Sequence, residues 1–302
     1  MNSMTLRQGH WTVSRLTGCF GAELTGASLA DPAAAAEILD LLHEHLVLTI
    51  RDQSLPPAEQ VALAQLLGTP TPAHPVIPPL PGYPEILPVD GALGGKNAMW
   101  HTDVTFVVRP PAASILVADE LPDHGGDTLW ADLRSAYTGL ARPLRSMIGE
   151  LAAVHRISPL AYWGEPFDSA LNRDDALAMY EQSKTVPPVV HPVVRVHPGT
   201  GRPSLFVNPG FTSHIVGFAR HESAGILKLL YEHATQPEYT VRHRWQAGDV
   251  VLWDNRATMH YATDDYGSAT RRMRRITLAG CEPIGLNGLV SHVATDPLVA
   301  VR

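Results

Sequence analysis

Short apolar segments separated by glycine- and proline-rich turns are the feature that most limits how this chain can fold. Residues 46–50, 112–118 and 250–253 are each long enough for a buried strand and short for a core helix. Pro198-Gly199-Thr200-Gly201 separates two further segments of this kind and predicts a hairpin. Many short strands joined by tight turns predict a mainly β protein, with flanking helices and an antiparallel jelly-roll, cupin-like core.

A smaller number of segments carry helix signals. Residues 31–45 open with Asp-Pro, a capping residue followed by proline at the first helical position. Ser54 is placed to cap a helix over residues 57–67, and residues 132–152 are also predicted to be helical. Residues 221–234 have the periodicity of an amphipathic helix. The residues predicted to share one side of that helix are Ile226, Leu229, Leu230 and His233.

The length of 302 residues predicts a single domain over residues 1–302 with a sizeable core. Prolines crowd residues 70–88 and exclude regular helix and central strand, which predicts a lid-type loop near 70–99. A second lid-type loop is predicted near 158–186. A plain surface connection is the alternative interpretation of such loops. From about residue 287 the sequence predicts a loose C-terminal extension.

Composition excludes several functional classes. The net charge of −7 argues against nucleic-acid binding. Two cysteines, Cys19 and Cys281, do not make a disulfide framework and fit a reducing compartment. The N-terminus has no apolar signal core, and no later run is long enough to span a membrane. These features together predict a cytoplasmic protein.

The segment Trp100-His101-Thr102-Asp103 is the first candidate for chemistry. In an extended segment, His101 and Asp103 point to the same face and can reach one metal ion. His260 is the best candidate for a third ligand. Two histidines and one carboxylate on one face of an ion leave three open positions, as in non-heme Fe(II) oxygenases. A loop histidine capped by a neighbouring aspartate is the alternative interpretation.

Four arginines in the segment 271–275 follow the third ligand candidate. On a strand Arg271 and Arg275 share one face, and Arg272 and Arg274 share the other. Guanidinium groups bind carboxylates and sulfate-like groups through parallel hydrogen bonds. The segment therefore predicts sites for anions beside the metal, with a solvated basic edge strand as the alternative.

Longer motifs identify a family. From about residue 18 to residue 283, the chain resembles the taurine dioxygenase family of Fe(II)/2-oxoglutarate-dependent oxygenases. The resemblance implies a double-stranded β-helix fold, Fe(II), 2-oxoglutarate and O2 as cofactor and co-substrates, and a homodimer or homotetramer. The motifs that carry it are Trp100-His101-Thr102-Asp103-Val104-Thr105-Phe106, Gly125-Gly126-Asp127-Thr128-Leu129-Trp130, His191-Pro192-Val193-Val194-Arg195, Phe206-Val207-Asn208 and Trp253-Asp254-Asn255-Arg256.

The resemblance also implies roles for individual residues. The positions that match Fe(II) ligands are His101, Asp103 and His260. The positions that match contacts to 2-oxoglutarate are Thr128 and Arg271 at its distal carboxylate and Arg275 near its inner carboxylate. The positions that match substrate contacts are His74, Asn97, Val104, Phe211 and, for the anionic group, Arg275.

Three departures from the family pattern bear on the substrate. Ile77 stands where a tyrosine is usual, Lys96 where an acidic residue is usual, and Leu160-Ala161 where an aromatic residue is expected. These changes remove partners for an ammonium group and leave a more apolar pocket. The sequence therefore predicts hydroxylation of a small anion without an amine, an alkyl sulfonate or sulfate ester rather than taurine, with release of sulfite or sulfate.

Other functions remain open at this point. A biosynthetic hydroxylase of a carboxylate or phosphonate would use the same machinery. A zinc hydrolase with the same three ligands would leave Thr128 and Arg271 without a role. A non-catalytic cupin-like binding protein would hold the metal structurally, and a metal with three open positions argues against it.

Overall fold

The computed structural model describes residues 5–90, 98–157 and 173–295. The strands in these residues are β1 Thr5–Gln8, β2 Trp11–Arg15, β3 Ala22–Thr25, β4 Val47–Ile50, β5 Leu87–Asp90, β6 Ala113–Glu120, β7 Thr128–Asp132, β8 Ala152–His155, β9 Val189–Pro192, β10 Val194–Val196, β11 Pro203–Leu205, β12 Thr212–Ile215, β13 Thr240–His243, β14 Val250–Asp254, β15 Thr258–Ala262, β16 Arg272–Leu278 and β17 His292–Val293. The helices are α1 Pro32–Ala36, α2 Ile38–His45, α3 Pro57–Leu67, α4 Leu133–Gly139, α5 Arg142–Ile148, α6 Arg173–Ser183 and α7 Arg220–Ala234.

The strands form two sheets that face each other, with smaller sheets beside them. The large sheet has the order β1-β2-β3-β4-β14-β6-β16-β5 and is antiparallel except between β3 and β4. The facing sheet has the order β13-β7-β15. A buried core that includes Trp130, Trp245 and Trp253 joins the two. The mainly β architecture with a jelly-roll core is therefore confirmed.

The central strands are buried on both faces, and their alternate residues serve two cores. Ile115 and Val117 on β6 pack toward helices α1 to α3, whereas Leu116 and Ala118 pack toward the facing sheet. This division follows from the period of two along a strand. Burial on both faces explains why these strands read as continuous apolar runs.

The predicted hairpin across Pro198-Gly199-Thr200-Gly201 is present as the β10–β11 pair. A four-stranded sheet has the order β12-β8-β9-β17. Its last strand belongs to the segment that was predicted to be a loose extension from about residue 287. That prediction is wrong up to residue 295, because β17 pairs with β9 and the Ala294 amide donates to the Pro188 carbonyl at 2.9 Å.

Of the two predicted N-caps, the structure confirms Asp31 and not Ser54. Asp31 caps α1 through a hydrogen bond from the Ala33 amide at 3.0 Å, but the predicted helix is split at Glu37 into α1 and α2. The capping role predicted for Ser54 is wrong. Residue 56 is the N-cap of α3 and makes no side-chain cap, while Ser54 has a left-handed backbone with φ of 44°.

Three further segments differ from their predictions. The helix predicted over 132–152 is two helices, α4 and α5, followed by β8. Helix α6 occupies part of the predicted lid-type loop at 158–186, and residues 158–172 lie outside the described residues. Helix α7 is present, but its buried stripe comprises Ser223, Leu227, Leu230 and Ala234. Leu229, predicted to share the buried side, is 46% exposed.

The proline-rich region predicted as a lid-type loop near 70–99 contributes one edge strand, β5, to the large sheet. Residues 91–97 of that region lie outside the described residues. Among the residues that the structure describes, no helix combines the length and the apolar character needed to cross a membrane.

Candidate active site

Backbone pairing brings the first two histidine candidates together. His101 exchanges two backbone hydrogen bonds with His260, at 2.9 and 2.7 Å, and His260 lies on β15. This pairing places the two imidazole rings side by side with their centroids 4.1 Å apart. A single β-bridge therefore joins residue 101 to strand β15 of the facing sheet.

The third side chain completes a buried cluster. Asp103 Oδ1 lies 3.9 Å from Nε2 of His101 and 3.9 Å from Nε2 of His260. The His101 Nδ1 atom lies 2.9 Å from the Met99 carbonyl, which can only accept, so Nδ1 carries the hydrogen. His101 Nε2 is buried without a hydrogen-bond partner among the described residues. A buried nitrogen lone pair beside a carboxylate oxygen fits a divalent metal ion.

Electrostatics hold these groups in the protonation states that metal ligands need. Burial lowers the pKa values of His101 and His260 and keeps both imidazoles neutral. Burial alone would raise the pKa of Asp103, but the charge of Arg275 is the main cause that lowers it to about 2, with smaller contributions from the neighbouring imidazoles and the Ser114 hydrogen bond. At neutral pH the cluster is two neutral imidazoles and one carboxylate, which is the ligand form of each side chain.

A chain of hydrogen bonds orients the Asp103 carboxylate. The Ser114 hydroxyl donates to Asp103 Oδ2 at 2.7 Å, and the Asn255 amide donates to the Ser114 oxygen at 2.7 Å. The Trp253 indole in turn donates to the Asn255 side-chain oxygen at 2.9 Å. Sequence reasoning assigned none of these roles. The available signal was Ser114 itself, a single polar residue inside an apolar strand.

Arg271 and Thr128 meet at one end of the facing sheet, where Thr128 pairs with Ala262, two residues after His260. The Arg271 guanidinium donates to the Gly126 carbonyl at 3.0 Å and to the Thr128 hydroxyl at 3.4 Å. The Trp245 indole also donates to Thr128, which leaves the hydroxyl hydrogen to donate elsewhere. Arg271 is only 5% exposed, and it forms no ion pair with any residue in the described ranges. A buried cation of this kind needs an anionic ligand.

The backbone at residue 126 makes room for that arginine. Gly126 has φ of 68°, and a Cβ atom there would lie 2.9 Å from Cδ of Arg271. A larger residue would be strained by its backbone and would displace the guanidinium. A glycine at this position of the Gly125-Gly126-Asp127-Thr128 motif therefore allows the Arg271 side chain to reach Thr128.

The arginine segment divides by face as the sequence predicts. Arg275 contacts Oδ1 of Asp103 and keeps a buried Nε without a hydrogen-bond partner in the described part of the chain. Arg272 and Arg274 form ion pairs on the other face, with Asp90 and Glu120 and with Asp119 respectively. The alternative of a basic edge strand is wrong, because β16 lies between β6 and β5.

An apolar wall lies against the cluster. Its buried members are Val76, Val104, Phe106, Ile157 and Phe211, with Ile77, Val107 and Val186 packed behind them. The ring of Phe211 lies 6.1 Å from that of His101, between centroids. Val104 has φ of 52°, a left-handed conformation that is rare for a β-branched residue and that persists only under constraint.

His74 is the polar group of this wall. Its Nδ1 accepts the amides of Val76 and Ile77, both at 3.1 Å, so the proton of the neutral ring is on Nε2. Burial, followed by the charge of Arg275, lowers the pKa of His74 to about 3. Three other positions that bear on the substrate, Asn97, Lys96 and Leu160-Ala161, lie outside the described residues.

Comparison with known proteins decides the family. The sequence model of the taurine catabolism dioxygenase TauD, TfdA family matches residues 12–277. The chain belongs to this family.

Relatives and solved structures agree with this assignment. An alpha-ketoglutarate-dependent sulfate ester dioxygenase from Pseudomonas putida is 42% identical over 93% of this chain and 93% of its own length. An alkylsulfatase from Acinetobacter baylyi is 42% identical over 91% and 87%. The crystal structure of a taurine dioxygenase from Burkholderia xenovorans superposes with a TM-score of 0.80 and 38% identity, over 97% of this chain and all of that one.

As a member of the TauD/TfdA family, the chain is a 2-oxoglutarate-dependent dioxygenase and hence an oxidoreductase. The resemblance inferred from the sequence motifs is thereby confirmed. The dimer or tetramer implied by the same resemblance stays a prediction.

A second histidine–aspartate cluster, formed by His43, His197 and Asp254, does not compete for this role. His197 Nε2 lies 2.9 Å from Asp254 Oδ2, and its Nδ1 accepts two backbone amides. Arg256 donates two hydrogen bonds to the same carboxylate, from Nε at 2.8 Å and from Nη2 at 2.6 Å. Because both ring nitrogens of His197 and both oxygens of Asp254 are already paired, we interpret this cluster as a structural ion-pair network.

Proposed function

We propose that this enzyme is an Fe(II)-dependent dioxygenase that oxidises alkyl sulfate esters or alkyl sulfonates without an amine, with 2-oxoglutarate and O2 as co-substrates. The observation that carries the proposal is the pair of buried arginines, Arg271 and Arg275, beside the His101, Asp103 and His260 cluster. Arg271 has no anionic partner within the described residues, and Arg275 retains a buried, unused donor. Two anions, one at each arginine, would complete the site.

In this proposal His101, Asp103 and His260 hold the iron. When bound, iron with 2-oxoglutarate and O2 supplies the oxidising equivalent that converts a substrate C–H to C–OH. Three protein ligands leave the remaining positions for the co-substrates. The carboxylate of Asp103 is held in place for this task by Ser114 at 2.7 Å.

Arg271 and Thr128 would hold the distal carboxylate of 2-oxoglutarate. The guanidinium offers charge in a site that excludes water, and the Thr128 hydroxyl retains a hydrogen to donate. Anchoring the far end of the co-substrate orients its reacting end toward the three-residue cluster. The zinc hydrolase alternative gives neither residue a task.

Arg275 and His74 would hold the anionic head of the substrate. Arg275 has an unused Nε donor, and the tautomer of His74 makes its Nε2 a donor as well. The apolar wall that contains Val104 and Phe211 would pack against the alkyl chain and keep water from the reacting carbon. Hydroxylation at the carbon that bears the sulfate oxygen gives an unstable product, which breaks to an aldehyde and sulfate.

The relatives support the sulfate ester over taurine. The names of the proteins from Pseudomonas putida and Acinetobacter baylyi specify sulfate ester oxidation and alkylsulfatase activity. Ile77 packs behind the apolar wall and offers no partner for an ammonium group. A substrate amine buried there would lose its hydration without compensation.

The test is a homologous series of straight-chain alkyl sulfates, assayed for succinate and sulfate with added Fe(II) and 2-oxoglutarate. Burial of each added methylene is worth ~0.8 kcal/mol, so kcat/KM should rise about fourfold per carbon until the wall is covered. The matched comparison is taurine against an alkyl sulfonate of the same length without the amine. A higher kcat/KM for taurine, or turnover of a phosphonate or carboxylate alone, would contradict the proposed substrate class and leave the dioxygenase assignment intact.

A further inference from the structure

The C-terminal segment is tied to the active site through the core. Its strand β17 extends the sheet that contains β9. Ser291 precedes this strand and is only 4% exposed, whereas its neighbours Val290 and His292 are exposed. The Ser291 amide donates to the Pro283 carbonyl at 3.0 Å. The Ser291 hydroxyl therefore points into the protein, and the backbone hydrogen bond holds it there.

That hydroxyl meets His191, a fully buried residue of β9. The Ser291 oxygen lies 2.6 Å from Nδ1 of His191, and Nε2 of His191 lies 2.8 Å from the Thr105 carbonyl. A carbonyl can only accept, so Nε2 carries the hydrogen and Nδ1 can only accept. The Ser291 hydroxyl lies within hydrogen-bond distance of two acceptors, the Pro283 carbonyl at 3.0 Å and Nδ1 of His191, and its contact with Nδ1 is the shorter one. The imidazole thus links the C-terminal segment to the backbone two residues after Asp103.

Thr105 is held on its side chain as well. Asn208 donates to the Thr105 hydroxyl at 3.1 Å, and His155 Nδ1 lies 3.0 Å from the same oxygen. Asn208 also accepts the amide of Phe211 at 2.9 Å. Thr105 is therefore fixed at its carbonyl and its hydroxyl by groups from three different strands or loops.

Thr105 lies between a residue with a strained backbone and a residue of the apolar wall. It follows Val104, whose φ of 52° is costly for a β-branched residue, and precedes Phe106. Both neighbours belong to the apolar wall beside the cluster. A strained backbone keeps its conformation only when its surroundings fix it, and the contacts of Thr105 are those surroundings.

We propose that Ser291, His191 and Thr105 form a positioning relay that sets the Asp103–Phe106 segment, so that the C-terminal segment supports the metal ligand and the substrate wall. None of the three touches substrate in this account. The inference rests on Asp103 being a metal ligand, as proposed above. It assigns a role to a region that sequence reasoning took to be loose.

The test compares two substitutions of His191 that differ only in reach. In His191→Gln the side-chain amide can replace Nε2 and still donate to Thr105. In His191→Asn the shorter amide can replace Nδ1 only. His292→Ala, an exposed neighbour of Ser291, is the matched control. Each variant is measured for thermal midpoint, for Mn(II) affinity of the metal-free protein, and for succinate formed per substrate oxidised.

His191→Asn should weaken Mn(II) binding about tenfold and raise the succinate-to-product ratio, as loss of support for a ligand typically does. His191→Gln should keep both values near those of the parent, even if its thermal midpoint falls as far as that of His191→Asn. Equal impairment of both variants would indicate a purely structural role, and an unchanged His191→Asn would overturn the relay.

A second variant, Ser291→Ala, and the Mn(II) affinity of the parent protein complete the test. If His191→Asn does not fold, Ser291→Ala should shift Mn(II) affinity and the succinate-to-product ratio in the same direction, and an unchanged Ser291→Ala would overturn the relay. Mn(II) binding does not depend on the identity of the substrate. Failure of the parent protein to bind Mn(II) would therefore refute the proposed metal site. If the parent binds Mn(II) and the variants bind it with the same affinity, only the relay is refuted.

Discussion

Replacing Arg271 with alanine should abolish high affinity for 2-oxoglutarate without destabilising the metal-free protein. Burial lowers the pKa of Arg271 because the charged form is poorly solvated there. The guanidinium makes two hydrogen bonds, to Gly126 and Thr128, and no ion pair within the described residues. Folding gains little from such a group, whereas a bound carboxylate would gain its main partner.

The magnitude follows from this isolation. Loss of one partner of a buried charge pair costs about 2–5 kcal/mol, which raises the dissociation constant roughly 30- to 4000-fold. The assay is calorimetric titration of 2-oxoglutarate into the Mn(II)-loaded protein, with the thermal midpoint measured with and without 2-oxoglutarate. In the variant, the stabilisation by 2-oxoglutarate should disappear and the midpoint of the metal-free protein should stay the same or rise.

Arg272→Ala is the matched control for charge and strand. Arg272 is exposed and paired with Asp90 and Glu120, so its loss should leave 2-oxoglutarate affinity unchanged. If Arg271→Ala binds 2-oxoglutarate as tightly as the parent, Arg271 does not contact the co-substrate and the reasoning from buried charge fails.

Three further outcomes are expected. Ser114→Ala should lower Mn(II) affinity or kcat about 10- to 100-fold with the fold retained, since Asp103 loses a buried donor, and unchanged values would show that Ser114 does not support the ligand. Thr128→Val should weaken 2-oxoglutarate binding by about 1.5–3 kcal/mol, the worth of a hydrogen bond to a charged group, and an equal affinity would remove Thr128 from the site. The free energy of unfolding should fall as pH drops from about 6.5 toward 3. Burial lowers the pKa values of His74 and His191 to about 3, so in this range the unfolded chain binds protons that the folded protein does not. The expected loss is up to ~1.4 kcal/mol per histidine and pH unit. Urea unfolding across that range measures this slope, which His191→Gln should reduce, and a flat profile would contradict the burial of neutral histidines.

Local rules predicted the parts of the site that depend on the period of a strand. The two-residue spacing of His101 and Asp103, and the four-residue spacing of Arg271 and Arg275, place each pair on one face. In the structure His101 and Asp103 meet in one cluster, Arg275 contacts Asp103, and Arg271 contacts Gly126 and Thr128. These inferences needed only that the segments be extended, which the flanking apolar residues indicated.

Features that depend on a distant partner were not accessible to the same rules. The apolar positions of α7 fit more than one stripe, and the packing of β12 and α4 against it selected Leu227 and Leu230 over Leu229. Strand β17 in the C-terminal segment is only two residues long, and it forms because β9 provides its backbone partners. Hydrogen bonds from Ser114 and Asn255 likewise join residues far apart in the chain.

The proposed activity depends on His101, Asp103 and His260 holding iron in a form that binds 2-oxoglutarate. The most direct measurement is an anaerobic titration of Fe(II) into the metal-free protein in the presence of 2-oxoglutarate, followed by visible absorption. We expect a weak charge-transfer band that saturates with stoichiometric iron and is absent from Asp103→Ala. Iron binding without such a band, or turnover supported by zinc in the absence of 2-oxoglutarate, would show that these three residues do not form a 2-oxoglutarate-dependent iron site.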